Sequence, residues 1–290
     1  MKKIPSFLIC TLLIATITHP SRVSAADSNI LYYFDKPDSG MPTNSGGASF
    51  SIGYVGTTQQ TSTEHKFGGG SMKIGEKGIV PNVAEFTGFA SKPDEFNDAI
   101  SKLTIVAWIR PTSPPPGGQS KFSGDGGSHI FGRWVNGKGP GFFFYDFSYK
   151  RFNFTFYCDT ADPKLQSYSS PAILGALTDE WLQVAVTFDE GHIVFYYNGL
   201  PIGDANAATK GGTSISAVEA SSTLVGFSFS NPGDCIDDFG FFPGRALSDP
   251  EIDEIYTKGL EAFTKASIPA PTPGKSPAAK PGAASLPIRK

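Results

Sequence analysis

Trp181-Leu-Gln-Val-Ala-Val-Thr-Phe-Asp189, running through Glu190-Gly-His192 into Ile193-Val-Phe-Tyr-Tyr-Asn-Gly199, is the stretch that decides the fold. In an extended chain successive side chains point to opposite faces. Leu182, Val184, Val186 and Phe188 therefore share one face, and Trp181, Gln183, Ala185 and Thr187 share the other. Asp189-Glu-Gly-His supplies a turn, and a second β-branched and aromatic run ends at Asn198-Gly199, a strong turn signal. The pair reads as a hairpin of an antiparallel sheet.

Working outward, the same texture recurs. Leu103 to Arg110 alternates and stops at Pro111, while Phe152, Phe154 and Phe156 alternate with Asn153, Thr155 and Tyr157. Ser222 to Ser228 and Ile236 to Phe242 make late strands. The 33 glycines and 23 prolines punctuate these short aromatic runs, the texture of a two-sheet β-sandwich. One helix is predicted near the end. Ser248-Asp-Pro-Glu251 is a capping box, and Ile252, Ile255 and Tyr256 mark its packed face.

The ends read differently. Met1-Lys-Lys3, an apolar run from Ile4 to Ile17 and small residues at Val23-Ser-Ala-Ala26 describe a signal peptide over residues 1–25. That run is shorter than the roughly 20 residues a membrane span needs, and no later segment replaces it. Residues 266–290 are rich in Pro, Ala and Lys and read as an extended tail. Residues 27–265 are left as one domain, in a secreted, periplasmic or cell-surface protein. This domain carries 17 basic against 27 acidic residues, which excludes a phosphate backbone as a natural partner. Cys158 and Cys235, the cysteines beyond the leader, suggest a disulfide in an exported chain. Two separate buried thiols are the alternative.

Several of these stretches resemble the laminin-G-like, concanavalin A-like jelly-roll family. They are the Trp181–Gly199 hairpin, Leu31-Tyr-Tyr-Phe-Asp35, Phe67-Gly-Gly-Gly-Ser-Met-Lys-Ile74, Leu103 to Arg110, and Cys235-Ile-Asp-Asp-Phe-Gly-Phe-Phe-Pro-Gly-Arg-Ala-Leu-Ser-Asp-Pro-Glu251. The resemblance implies an all-β jelly roll of two antiparallel sheets with a short C-terminal helix, and a protein that binds rather than catalyses. Some relatives hold a structural calcium between an aspartate of the last strand and oxygens near the chain start. By position that assigns Asp237, with Asp35 or the Ser45-Gly46-Gly47 turn beside it. On a regular strand Asp237 and Asp238 point to opposite faces, so only one of them enters such a site.

Related glucanases carry Glu-x-Asp-x-x-Glu on a strand. The nearest text here, Glu251-Ile-Asp253-Glu-Ile-Tyr256, lacks the last acid and falls on the predicted helix. His65, His129 and His192 have no second histidine at ligand spacing, and Asn153-Phe-Thr155 is a formal glycosylation sequon inside a strand. Aromatic residues crowd positions 142–157. Phenylalanine there belongs to a core, whereas Tyr145, Tyr149 and Tyr157, with Trp134 in the preceding loop, are the candidate ligand contacts. The long loop 111–127 adds Asp125 as a further candidate. Three functions follow in order: binding of an extracellular polysaccharide or glycoconjugate, adhesion to another protein, and glycan cleavage by loop-borne acids.

Overall fold

The computed structural model describes residues 29–35, 45–46, 50–53, 59–61, 63–73, 87–90, 99–111, 127–135, 138–146, 149–173, 179–217, 224–228 and 235–267. Residues 1–25, residues 268–290 and Asp125 lie outside them, and the first two residues of the expected tail, Ala266 and Ser267, end a helix.

The described strands form two antiparallel sheets. The first contains β1 (Ile30–Tyr32), β3 (Gln59–Thr61), β4 (Ser71–Lys73), β6 (Lys102–Arg110), β11 (Leu182–Asp189), β12 (His192–Tyr197), β13 (Leu200–Asn206) and β15 (Cys235–Pro243). Its order is β13-β12-β11-β6-β15-β4-β3, with β1 also pairing along β15. The second contains β2 (Phe50–Gly53), β5 (Thr87–Ala90), β7 (Gly127–Val135), β8 (Lys138–Asp146), β9 (Arg151–Tyr157), β10 (Leu165–Ser169) and β14 (Leu224–Ser228). They run in the order β10-β9-β8-β7-β14-β5-β2.

The hairpin forms as its pattern dictates: Asp189 pairs with His192 and Val184 with Tyr197. Its apolar face, Leu182, Val184, Val186 and Phe188, meets Ile105, Ala107 and Ile109 of β6 and Phe152, Phe154 and Phe156 of β9 in one core. Those three phenylalanines are fully buried. Burying one such ring is worth roughly 1.5–3 kcal/mol, so this inter-sheet layer outweighs any single polar tie.

A second apolar cluster lies on the outer side of the first sheet. Val106, Ala185, Tyr196 and Phe242 pack there under Ile252, Ile255, Leu260 and Phe263. The covering elements are α1 (Asp249–Lys258) and α2 (Leu260–Ser267), a helix pair where one helix is predicted. Gly259 separates them with φ +84°, and its N–H still closes on the Ile255 carbonyl. At the start of α1, Glu251 Oε2 accepts from both the N–H and the hydroxyl of Ser248, each at 2.9 Å. Glu251 and Asp253 are therefore helical, as their context predicts.

Candidate functional site

The two outer faces of the sandwich are built differently. On the first sheet, Trp108 points out from β6 and is 1% exposed. Tyr256 of α1 stacks on it at 5.3 Å, Phe67 meets it edge-on at 5.6 Å, and the Lys66 ammonium sits 4.4 Å from its ring centre. Polar ties pin the cover down. Gln183 donates to the Ile252 carbonyl, the Tyr196 hydroxyl donates to Asp249, and Tyr33 and Thr264 share a hydrogen bond of 2.7 Å. This face is sealed.

Beneath the seal lies a pair of buried acids. The register of β15 against β6 slips between Asp237 and Gly240, and Asp238 adopts φ +47°. An extra residue in one strand is a β-bulge, which re-aims side chains. Both aspartates consequently reach the same outer side, where a regular strand would have divided them. Asp237 accepts from the N–H groups of Lys66 (2.8 Å), Phe67 (3.1 Å) and Asp238 (2.8 Å). Asp238 accepts from Leu260 N–H at 2.7 Å, at the start of α2. Burial raises the pKa of both, and their mutual repulsion adds to it at Asp238. Asp35 is raised too, by burial, against the opposing bond from Gly69 N–H at 3.0 Å. Gly68 beside it has φ +57°, and a Cβ there would overlap the Asp35 carboxylate.

On the second sheet the candidates Tyr145, Tyr149 and Tyr157 do not converge. Tyr145 is 5% exposed and packs edge-on to Phe152 at 5.2 Å, a core ring rather than a ligand contact. Trp134 belongs to strand β7, not to a loop. Tyr149 occupies the β8–β9 turn and is 64% exposed, with the Arg151 guanidinium 4.7 Å from its ring centre. Tyr157, half-buried, ends β9. From Arg151 to Tyr157 is six residues, about 20 Å of strand. Between them the outer row of β9 carries Asn153 and Thr155, and across on β10 stand Ser169, Ser167 and Leu165 in register. Leu165 is 41% exposed. The row is thus polar in its middle and aromatic or apolar at its ends. Arg151 and Asn153 are contributors that the aromatic pattern alone did not single out.

With this geometry in view, the matches to known proteins fall into place. A family model described as concanavalin A-like lectin/glucanases superfamily matches residues 85–253. The chain belongs to that superfamily. No curated protein is similar to it in sequence. Among solved structures, it is similar to the botulinum neurotoxin serotype G binding domain (16% identity, TM-score 0.55, covering 79% of this chain and 50% of that one). It is also similar to the binding domain of botulinum neurotoxin DC in complex with rat synaptotagmin II (18%, 0.54, 81% and 52%). A third is a botulinum neurotoxin type C structure whose cell entry depends on two ganglioside molecules (17%, 0.53, 80% and 51%). The chain spans about half the length of these neighbours. At such identities the likeness concerns the fold, a jelly roll.

For a superfamily member, calcium is the group to test against the residues at Asp237. Calcium takes six to eight oxygens. Asp237 instead faces three N–H donors, and Asp35 gives Oδ1 to another. Among the described residues no three His, Cys, Asp or Glu side chains gather to hold a metal. Gly47 lies outside the described residues.

The expected disulfide is corrected: Cys158 and Cys235 are free, buried thiols. Cys158 follows β9 of the second sheet and contacts the Thr160 hydroxyl at 3.1 Å. Cys235 opens β15 of the first sheet beside Glu64, and burial pushes its thiol up to about 12, which suppresses thiolate chemistry.

Proposed function

We propose that this superfamily member is an exported, non-catalytic binding module for an extracellular polysaccharide or glycoconjugate. The observation that carries this reading is the asymmetry of the sandwich. One outer face is sealed by α1, α2 and the loop around Phe67, whereas the β9–β10 row keeps Tyr149 and Leu165 exposed and Tyr157 half-exposed among small polar side chains. Aromatic faces stack on the apolar faces of sugar rings, and Ser, Thr and Asn side chains match hydroxyls. The charged leader with its short apolar run supports export, and among the described residues no helix is long and apolar enough to cross a membrane.

Structural neighbours that bind synaptotagmin or gangliosides support a binding role with either a protein or a glycan ligand. The aromatic-ended polar row favours the glycan. Melting the mature protein over a panel of soluble polysaccharides tests it, because a ligand of the folded state must raise Tm. A shift with one polymer, weakened about 2- to 12-fold in affinity by Tyr149→Ala or Tyr157→Ala, is the expected result. Failure of every glycan to shift Tm, together with capture of a protein partner, would turn the assignment to protein adhesion.

A further inference from the structure

Among the described residues, two buried donors on the outer row of β9 have no partner. Asn153 is 5% exposed; its Oδ1 accepts from the Ser169 hydroxyl at 2.5 Å, and its Nδ2 makes no hydrogen bond. Arg151 Nε, two residues away, is likewise buried and unbonded. A buried donor left unpaired costs about 1–3 kcal/mol, so two on one face are a standing debt that an acceptor would relieve. Planarity of the amide fixes the direction. With Oδ1 held on β10, Nδ2 turns away from that strand. Residues two apart on a strand share a face, about 7 Å apart, and the long Arg151 side chain spans that gap.

Charge narrows the acceptor. Asp146 stands in register across from Arg151, yet its Oδ1 takes the Tyr149 N–H at 3.2 Å. Arg151 takes part in none of the ion pairs between described residues. Lys150 beside it is exposed. Overall the domain is acidic, but at physiological salt fields are screened within about 8 Å, so the local pair governs what docks. Tyr149 lies over the guanidinium and supplies a ring for stacking.

We infer that Arg151 and Asn153, roofed by Tyr149, form a subsite for the carboxylate of an acidic sugar. The inference rests on the glycan-binding reading above and specifies its ligand class. Guanidinium N–H groups take a carboxylate in a two-pronged geometry, Asn153 Nδ2 donates to an oxygen of the same sugar, and Tyr149 stacks on its ring.

The test uses the mature chain in EDTA with polygalacturonate, its methyl ester, which keeps the ring but cancels the charge, and neutral dextran. The expected result is tighter binding of polygalacturonate than of the ester, weakening with salt. Arg151→Gln lowers the acid-over-ester preference about tenfold or more, and Arg151→Lys, with its charge kept and its fork lost, restores little of it. Equal binding of acid and ester, or a preference untouched by Arg151→Gln, overturns the carboxylate subsite while leaving glycan binding in place. Binding of neither galacturonan nor dextran, if the wider polysaccharide panel is also silent, removes both. Should Arg151→Gln melt below the assay temperature, Arg151→Lys decides: loss of most of the acid-over-ester preference supports the subsite, and an unchanged preference overturns it.

Discussion

Asp238 shows how one residue can work against the fold it completes. Its carboxylate receives the first N–H of α2, but it does so buried, next to Asp237. A carboxyl group whose folded pKa lies above its unfolded value, near 4, binds its proton more tightly when folded. Its stabilising contribution is complete below the unfolded value and is lost as pH rises through the folded one. Stability should therefore rise as pH falls from neutral toward 5. Glu64 has the opposite sign: hydrogen bonds from Lys73 and then Arg110 hold its pKa down, so its contribution vanishes on further acidification. Melts from pH 4 to pH 8 should show a maximum on the acid side of neutral. Asp238→Asn keeps the acceptor for Leu260 and removes the charge. It should raise stability at neutral pH by about 1 kcal/mol or more, equivalent to about 2–4 °C per kcal/mol in a domain of this size, and flatten the profile. A lower Tm for this variant would mean that the ionised form is the one the fold needs. With Asp237 committed to N–H donors, adding calcium after EDTA should leave Tm unchanged; a clear rise would place a cation among the loops near it.

At the scale of elements, the C-terminal helix pair depends on its ends. Glu251 joins Ser248 to the first turn of α1 and also pairs with Arg245. Glu251→Ala should cost about 1 kcal/mol, seen as a lower denaturant midpoint with an unchanged slope. The start of α1 was legible, since Ser-x-x-Glu before an apolar face is a local pattern with a local cause. Its partner was not. Whether the chain turns at Gly259 and begins α2 depends on Asp238, 22 positions upstream, being aimed at Leu260 N–H by the β15 bulge. That bulge has no local mark, because Cys235–Pro243 reads as an ordinary strand. The candidate tyrosines divide for a similar reason. Alternation identified Phe152, Phe154 and Phe156 as inward, but Tyr145 faces inward too, and only the pairing of β8 with β9 says so.

Across the whole molecule, α1 and α2 act as a lid on an apolar sheet face rather than as an appendage. Truncation after residue 248 should expose Val106, Trp108, Tyr196 and Phe242 together, giving dye binding and aggregation. A soluble, cooperatively melting truncated chain would show that the inter-sheet core is sufficient alone. The sequence by itself determined the sheet class, the hairpin at Asp189–His192 and the first C-terminal helix, because each rests on side-chain period and turn chemistry within a dozen residues, while the superfamily came from the resemblance of motifs spread from Leu31 to Glu251. Only the tertiary structure decided which face is sealed, that Cys158 and Cys235 stay apart on different sheets, that Asp237 and Asp238 share one side, and that Arg151 and Asn153 keep unpaired donors beside Tyr149. Those outcomes depend on strand order, register and one inserted residue, and they are settled by contacts between segments that are distant along the chain.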